Sequence, residues 1–316
     1  LGYDGIWSAE TDHDPFLPLA LAARHTKTAL LGTSIAVAFA RNPMNLAYLG
    51  NDLQSLSQGR FVLGLGSQIR AHIAKRFSMP WSHPAPRMRE MIQAIRGIWA
   101  AWETGERLSF RGDFYTHTLM TPFFSPGPNK YGTPRIFLAA VGPRMTEVAG
   151  DVADGMLVHG FTTERYLREV TLPAVERGLA RSGRTRADFE LSYPAFIVTA
   201  DNEQDMAQAA AACKKQIAFY ASTPAYLPVL ERHGWEELGD ELNRLSKTGD
   251  PDRWDRMGGL VDDEVLHAFA VVAQPSDVSA ALHARFGGVV DRVSFSRPFG
   301  LDARRMADVV GALKNV

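Results

Sequence analysis

The stretch Leu56–Gln68, LSQGRFVLGLGSQ, decides how this chain is read. A polar turn, Ser57-Gln58-Gly59-Arg60, releases a short apolar run, Phe61–Leu65, punctuated at its end by Gly64 and Gly66. A run without polar alternation marks a strand buried on both faces, as in a parallel sheet covered by helices. Glycines at its carboxyl end admit a close approach to the backbone. The dinucleotide fingerprint fails here. Ile69 stands where a third glycine would be needed, and no acidic residue closes a short βαβ unit behind it. The segment reads as a barrel strand whose end faces a ligand.

Strand and helix signals alternate on both sides of this run. Strands are predicted over Gly5–Glu10, Leu30–Phe39, Phe61–Gly66, Arg135–Ala140, Gly155–His159, Phe189–Thr199 and Asp291–Ser296. Helices are predicted over Pro15–His25, Pro43–Leu56, Arg87–Glu103, from Pro143, over Glu164–Arg181, Glu203–Tyr220, Asp277–Phe286 and Ala303–Leu313, with a mixed helical stretch before Asp277. Met88, Met91, Ile92, Ile95, Ile98, Trp99 and Trp102 recur at three-and-four spacing and form a core stripe. Seven strands, each followed by a helix, point to an α/β fold, a (β/α)8 TIM barrel with insertions forming a single domain over residues 1–316. The abrupt opening LGYDG reads as a helix end running into a second strand, so a first strand and helix are expected upstream. An open doubly wound sheet would want a Gly-rich phosphate turn that is not found.

Composition narrows the function. With 34 basic and 35 acidic residues among 316, the net charge of −1 argues against a nucleic-acid or membrane-surface partner. The single cysteine, Cys213, excludes an internal disulfide, fits a reducing compartment, and reads as a small buried hydrophobe. Ala29–Ala40 is too short and too interrupted to span a bilayer, and the visible start lacks an export signal, so a cytoplasmic location is expected. No metal spacing, G-x-S-x-G elbow or P-loop occurs.

In a barrel, function gathers at the carboxyl ends of the strands. The candidate rim is Glu10–Asp14, Ser34–Arg41, Gly66–His72, Val141–Thr146, His159–Thr162 and Ser296–Pro298, with Ser78–Pro86 as a candidate lid. Arg107–Pro134 connects a helix to a strand and is expected on the opposite face, with His117 structural. Asp14-Pro15-Phe16 reads as a helix cap, which leaves His13 open. His72 and His159 are either satisfied polar groups or catalysts.

The helix opening at Pro143 has two readings. It is either an ordinary proline-started helix or an anion site. In the second, the amides of Arg144, Met145 and Thr146 lie free at the positive dipole end, reinforced by the Arg144 guanidinium and the Thr146 hydroxyl.

The motifs GYDGIWSAETDHDPFLPLALAA, LGTSIAVAFARNP, LSQGRFVLGLGSQ, VGPRMTEVAGDVADGMLVHGF and VDRVSFSRP, in this order over nearly the whole chain, resemble the luciferase-like monooxygenase superfamily. The chain looks most like its coenzyme F420-dependent oxidoreductase branch. The resemblance implies a (β/α)8 barrel with a flavin-like ring at its carboxyl end. It also implies a non-prolyl cis peptide at Ser34-Ile35 and a strand end Gly66-Ser67-Gln68 lining the cofactor site. A cofactor phosphate would be held by the turn Gly142-Pro143-Arg144-Met145, with Thr146, and by the strand end His159-Gly160. Relatives acting on sugar phosphates carry an Asp-His pair and a second glutamate where this chain has Glu10-Thr11 and Ser67-Gln68-Ile69, so their substrate does not carry over.

Glu10 is therefore the leading catalytic candidate, with His13 and His72 as alternatives and Asp12 and Gln68 beside them on the rim. The implied activity is hydride transfer between coenzyme F420 and an organic small molecule. The rivals are an FMN-dependent monooxygenase using oxygen and a non-catalytic flavin or deazaflavin binder. A homodimer is carried as a candidate assembly.

Overall fold

Phe61–Gly66 is a strand with all six residues buried, as its unalternating sequence requires. The computed structural model that contains it describes residues 2–296 and 303–314. Arg297 and Pro298 of the candidate rim lie outside the described residues. Two compact units emerge, one made of Tyr3–Leu157 and Ala174–Glu190, the other of Leu1–Gly2, Val158–Pro173 and Leu191–Val316.

In the first unit, β1 (Gly5–Ser8), β2 (Leu30–Thr33), β3 (Ala36–Val37) and β4 (Phe61–Gly66) lie beside one another with parallel pairing. The predicted strand Leu30–Phe39 is broken in two. Gly32 pairs with Val62 and Ala36 with Leu65, so four steps on one strand face three on its neighbour, and the extra residue forms a bulge. The Ser34-Ile35 peptide within that bulge is cis. A hairpin, β5 (Phe110–Arg111) and β6 (Thr116–His117), is antiparallel. Then β7 (Arg135–Ala140) returns to the sheet beside β4, in register from Val62↔Arg135 to Leu65↔Leu138. The next strand, β8 (Gly155–Val158), follows the helix Pro143–Val152.

The glycines of β4 admit a close approach, as expected. A Cβ at Gly64 would lie 1.8 Å from the Thr33 carbonyl oxygen, and one at Gly66 would lie 2.9 Å from the Ile35 side chain. The close approach they allow is by the chain's own bulge. Thr33 Oγ1 donates to the Gly64 carbonyl at 2.7 Å and accepts from the Gly64 amide at 2.9 Å, replacing ladder bonds that the bulge removes. Trp7 and Ile35 pack on Val62, Phe137 and Leu157 to close the interior. On the outer face, the helix Pro84–Thr104 buries the whole predicted stripe from Met88 to Trp102. Trp99 Nε1 donates to the Ala47 carbonyl of the helix Pro43–Leu56 at 3.0 Å.

In the second unit, β9 (Glu190–Val198) is flanked by two parallel partners. The strand β10 (Ala270–Val272) pairs with Phe196–Val198, and β11 (Arg292–Ser296) pairs with Ser192–Phe196. The three residues of β10 fall inside the stretch read as helical and were not anticipated as a strand. Around it, the mixed region resolves into helices Leu227–Glu231, Glu236–Ser246, Arg253–Leu260 and Asp263–Phe269. The helix Glu203–Ala221 carries Cys213 fully buried among Phe196, Ile217 and Leu266. Burial pushes its thiol up to about 12, so it is the inert hydrophobe its setting predicts.

Candidate active site at the strand ends

Glu10 leaves β1 two residues past its last member and turns back onto the bulge. Its amide donates to the Ile35 carbonyl at 3.2 Å. Its Oε2 accepts from the Val37 amide at 2.7 Å and from Arg41 Nη1 at 2.6 Å. Arg41 Nη2 then reaches Asp14 Oδ2 at 3.1 Å, and the guanidinium lies 5.4 Å from the Phe16 ring. The Glu10 side chain is 7% exposed and that of Arg41 17%. Among the described residues, Glu10 Oε1 accepts no hydrogen bond. Asp14 Oδ1 accepts from the amides of Phe16 and Leu17, so it caps the following helix as its sequence setting suggests. One guanidinium thus joins two carboxylates from the loop after β1 to the backbone after β3.

The other two catalytic candidates are held differently. His13 is 86% exposed and, among the described residues, meets only Asp12, at 3.5 Å. The Thr11 hydroxyl donates to Asp12 at 2.7 Å, and this bond leads the causes that hold the Asp12 carboxyl below its usual range. His72 is exposed in the π-turn His72–Arg76. Of the three, Glu10 alone has a fixed orientation. Ser67 and Gln68 are half-buried, with Ser67 Oγ donating to the Gln68 carbonyl and Gln68 Oε1 accepting from the Ile69 amide. Gln68 stands at φ +59°, a left-handed conformation uncommon outside glycine and asparagine. Arg76 Nη2 donates to the Thr11 carbonyl at 2.6 Å, which ties the loop after β4 to the loop after β1.

At the end of β7, Gly142 and Pro143 open the helix Pro143–Val152 as predicted. One part of the anion-site reading needs correction. The Thr146 amide donates to the Gly142 carbonyl at 3.0 Å as the first helical bond, and its hydroxyl donates to the same oxygen at 3.1 Å. Thr146 is 1% exposed. Its amide is closed because the proline removes a donor only at the first helical position, and the fourth amide is already intrahelical. Arg144 and Met145 keep the outward-facing amides, with Arg144 exposed.

His159 follows β8 and is caught among aromatics of its own unit. Its ring lies 4.6 Å from Tyr226, stacked, and 4.9 Å from Tyr220, edge-on. Nδ1 accepts from the Phe161 amide at 3.0 Å, and Nε2 meets the Tyr226 hydroxyl at 3.0 Å. Burial lowers its pKa to about 4, so the ring is neutral near pH 7. The implied phosphate contact at His159 thus lacks the positive charge that would favour it. Three residues on, Thr162 Oγ1 is buried without a hydrogen-bond partner among the described residues, as is Thr199 Oγ1 after β9.

The segment 107–134 is corrected in part. Asn129 and Tyr131 stay against Glu103, Asn51 and Gln54 near the carboxyl ends of the flanking helices, but the hairpin Phe110–His117 runs back along the helix Pro84–Thr104 to that helix's first turns. Glu90 accepts from the amides of Asp113, Phe114 and Tyr115 at 2.9, 2.7 and 2.6 Å. Arg87 donates to Tyr115 Oη and to the Pro80 carbonyl, and lies 4.6 Å from the Phe39 ring. The hairpin tip therefore stands beside the candidate lid and the residues after β3. Sequence reasoning missed Arg87 and Tyr226. Arg41 lay within a named range, but its pairing with Glu10 spans 31 positions and no local pattern signals it.

Comparison with known proteins agrees with these features. A family model described as luciferase-like monooxygenase matches residues 1–292, and the chain belongs to that family. The uncharacterized protein Rv1360 of Mycobacterium tuberculosis is 59% identical over 292 residues, covering 92% of this chain and 85% of that protein. The 5,10-methylenetetrahydromethanopterin reductase of Methanolobus tindarius is 28% identical over 316 residues, covering 98% and 90%. The structure of coenzyme F420 dependent tetrahydromethanopterin reductase from Methanopyrus kandleri superposes with a TM-score of 0.78 at 21% identity, over 98% of this chain and 89% of that one. The α/β fold with its mostly parallel strands is thus of the TIM-barrel-like kind found in F420-dependent reductases. No helix of the described residues is long and apolar enough to cross a membrane, and no group of His, Cys, Asp or Glu among them could hold a metal ion.

Proposed function

We propose that this protein is a coenzyme F420-dependent oxidoreductase that moves a hydride between the deazaflavin and an organic small molecule. The observation that carries the reading is the near full-length similarity to a methylenetetrahydromethanopterin reductase, read together with the fixed carboxylate at the end of β1.

The residues present fit such a coenzyme. The outward amides of Arg144 and Met145, at a helix start with an exposed arginine, suit a phosphate. Hydride transfer itself would be supplied by the coenzyme when bound. The chain's part is orientation and proton handling. Val37 and Arg41 hold Oε2 of Glu10, which leaves Oε1 as the oxygen able to take or return a proton at the reacting end. His13 and His72 remain alternatives for that step, and Gly66, Ser67 and Gln68 would line the ring. Arg70 and Lys75, exposed after β4, suit an acidic coenzyme tail; Arg76 beside them is engaged with Thr11.

The second reading is an FMN-dependent monooxygenase, which the family's own description favours. Titration with coenzyme F420 and FMN at several salt concentrations, followed by anaerobic turnover with reduced coenzyme F420, separates the two. Tighter F420 binding that weakens with salt, and turnover without oxygen, supports the proposal. Salt-insensitive preference for FMN with oxygen consumption would replace it.

A further inference from the structure

The end of β8 is the place where the sequence implies a phosphate contact, and the structure gives it a different chemistry. A backbone N–H can only donate, so His159 Nδ1, which faces the Phe161 amide at 3.0 Å, must carry a lone pair. The proton of the neutral ring then sits on Nε2 and points at Tyr226 Oη, 3.0 Å away. Tyr226 therefore accepts from His159, and its own hydroxyl proton has no acceptor among the described residues. Two further hydroxyls after β8 and β9, Thr162 Oγ1 and Thr199 Oγ1, are buried without a partner among the described residues. A buried polar atom left unpaired calls for a ligand or a water.

The surroundings of Tyr226 are aromatic. Phe161 lies 5.6 Å from Tyr226 and 6.1 Å from Tyr220, and among the described residues no arginine or lysine stands over any of these rings. A phosphate brought to a half-buried aromatic wall without a cation would lose hydration that nothing there replaces. An uncharged oxygen would not. Building on the proposed function, we propose that Tyr226, oriented by His159, is a binding residue that donates a hydrogen bond to an uncharged oxygen of the bound coenzyme, a carbonyl or a hydroxyl. His159 is then its positioning residue rather than a phosphate anchor.

Tyr226→Phe deletes one oxygen and keeps the ring that stacks on His159. In fluorescence titrations with coenzyme F420, this variant should bind about three- to tenfold more weakly than the wild type, the range of one neutral hydrogen bond. Inorganic phosphate added as a competitor should act equally on both proteins. Equal coenzyme affinities would overturn the inference, as would phosphate competition lost in Tyr226→Phe, which would make the hydroxyl a phosphate ligand. Nitrogen-15 shifts of His159 at pH 7 give an independent reading. A protonated Nε2 and a bare Nδ1 are expected, and the opposite tautomer would defeat the argument. If the wild type takes FMN and not F420, the functional proposal fails, and the same comparison with FMN still decides the role of Tyr226. Binding of neither overturns both.

Discussion

Glu10 and His159 each follow a strand of the parallel sheet, and their surroundings are opposites. Glu10 sits in a knot of charge, with a guanidinium shared between two carboxylates and a backbone amide completing the set. His159 sits among rings, uncharged near pH 7, with the Tyr226 hydroxyl 3.0 Å from its Nε2. The first arrangement fixes a carboxylate so that one oxygen stays open. The second fixes a neutral donor and excludes charge.

The contrast can be broken experimentally, beginning with the charged end. Once anaerobic screening supplies a substrate, Glu10→Gln should lower turnover by about 10²–10⁴-fold with coenzyme affinity little changed. Steady-state kinetics beside a coenzyme titration checks this, and unchanged turnover would pass the role to His13 or His72. Arg41→Met leaves the nearly buried Glu10 carboxylate without its cation and should lower stability by about 3–5 kcal/mol in a denaturant titration.

The neutral end makes a prediction about acid. The folded His159 has a pKa of about 4, against 6.5 for a free histidine. Between these values the unfolded chain binds a proton that the folded chain refuses. Its contribution is intact above pH 6.5 and is lost as pH falls toward 4, by about 3 kcal/mol at most. Unfolding midpoints from pH 7 to pH 4 should fall more steeply for the wild type than for His159→Gln. Parallel declines would show that this ring does not set the acid limit.

A pair of glycines gives the finest test of what holds the charged end in place. Gly64→Ala would drive a methyl into the Thr33 carbonyl and should lower stability by about 3 kcal/mol or more, since backbone on both sides must move. Gly142→Ala meets no atom within 4 Å at a negative φ and should stay within about 0.5 kcal/mol of the wild type. Thermal melts of the two variants decide it.

Much of the fold was legible because its signals are local. The run Phe61–Gly66 and the strand Arg135–Ala140 are found at the predicted limits, since an unbroken apolar run bounded by a turn leaves little choice of register. The run Leu30–Phe39 reads as one strand, and the extra residue that splits it into Leu30–Thr33 and Ala36–Val37 has no local signal. What stayed hidden depends on partners distant in sequence. Ala270–Val272 becomes a strand because β9 offers it an edge, which three residues inside a helical stretch cannot announce. Thr146 looked open because proline exempts only one amide, and the fourth is recaptured by the helix. Connectivity alone gives residues 107–134 a face, and it holds for Asn129 and Tyr131, but Glu90, through three backbone amides, carries the hairpin Phe110–His117 to another place.

That last contact bears on how the protein could acquire new substrates. Arg87 is 7% exposed and joins the tip of the hairpin segment to Pro80 of the lid loop and to Phe39 just beyond the bulge. A change of length or composition between Arg107 and Pro134 would be felt at the lid through one guanidinium, while every parallel strand kept its register. The insertion is thus a tuning element. Selection, or a designer, could reshape what the site admits by editing residues that never touch the ligand.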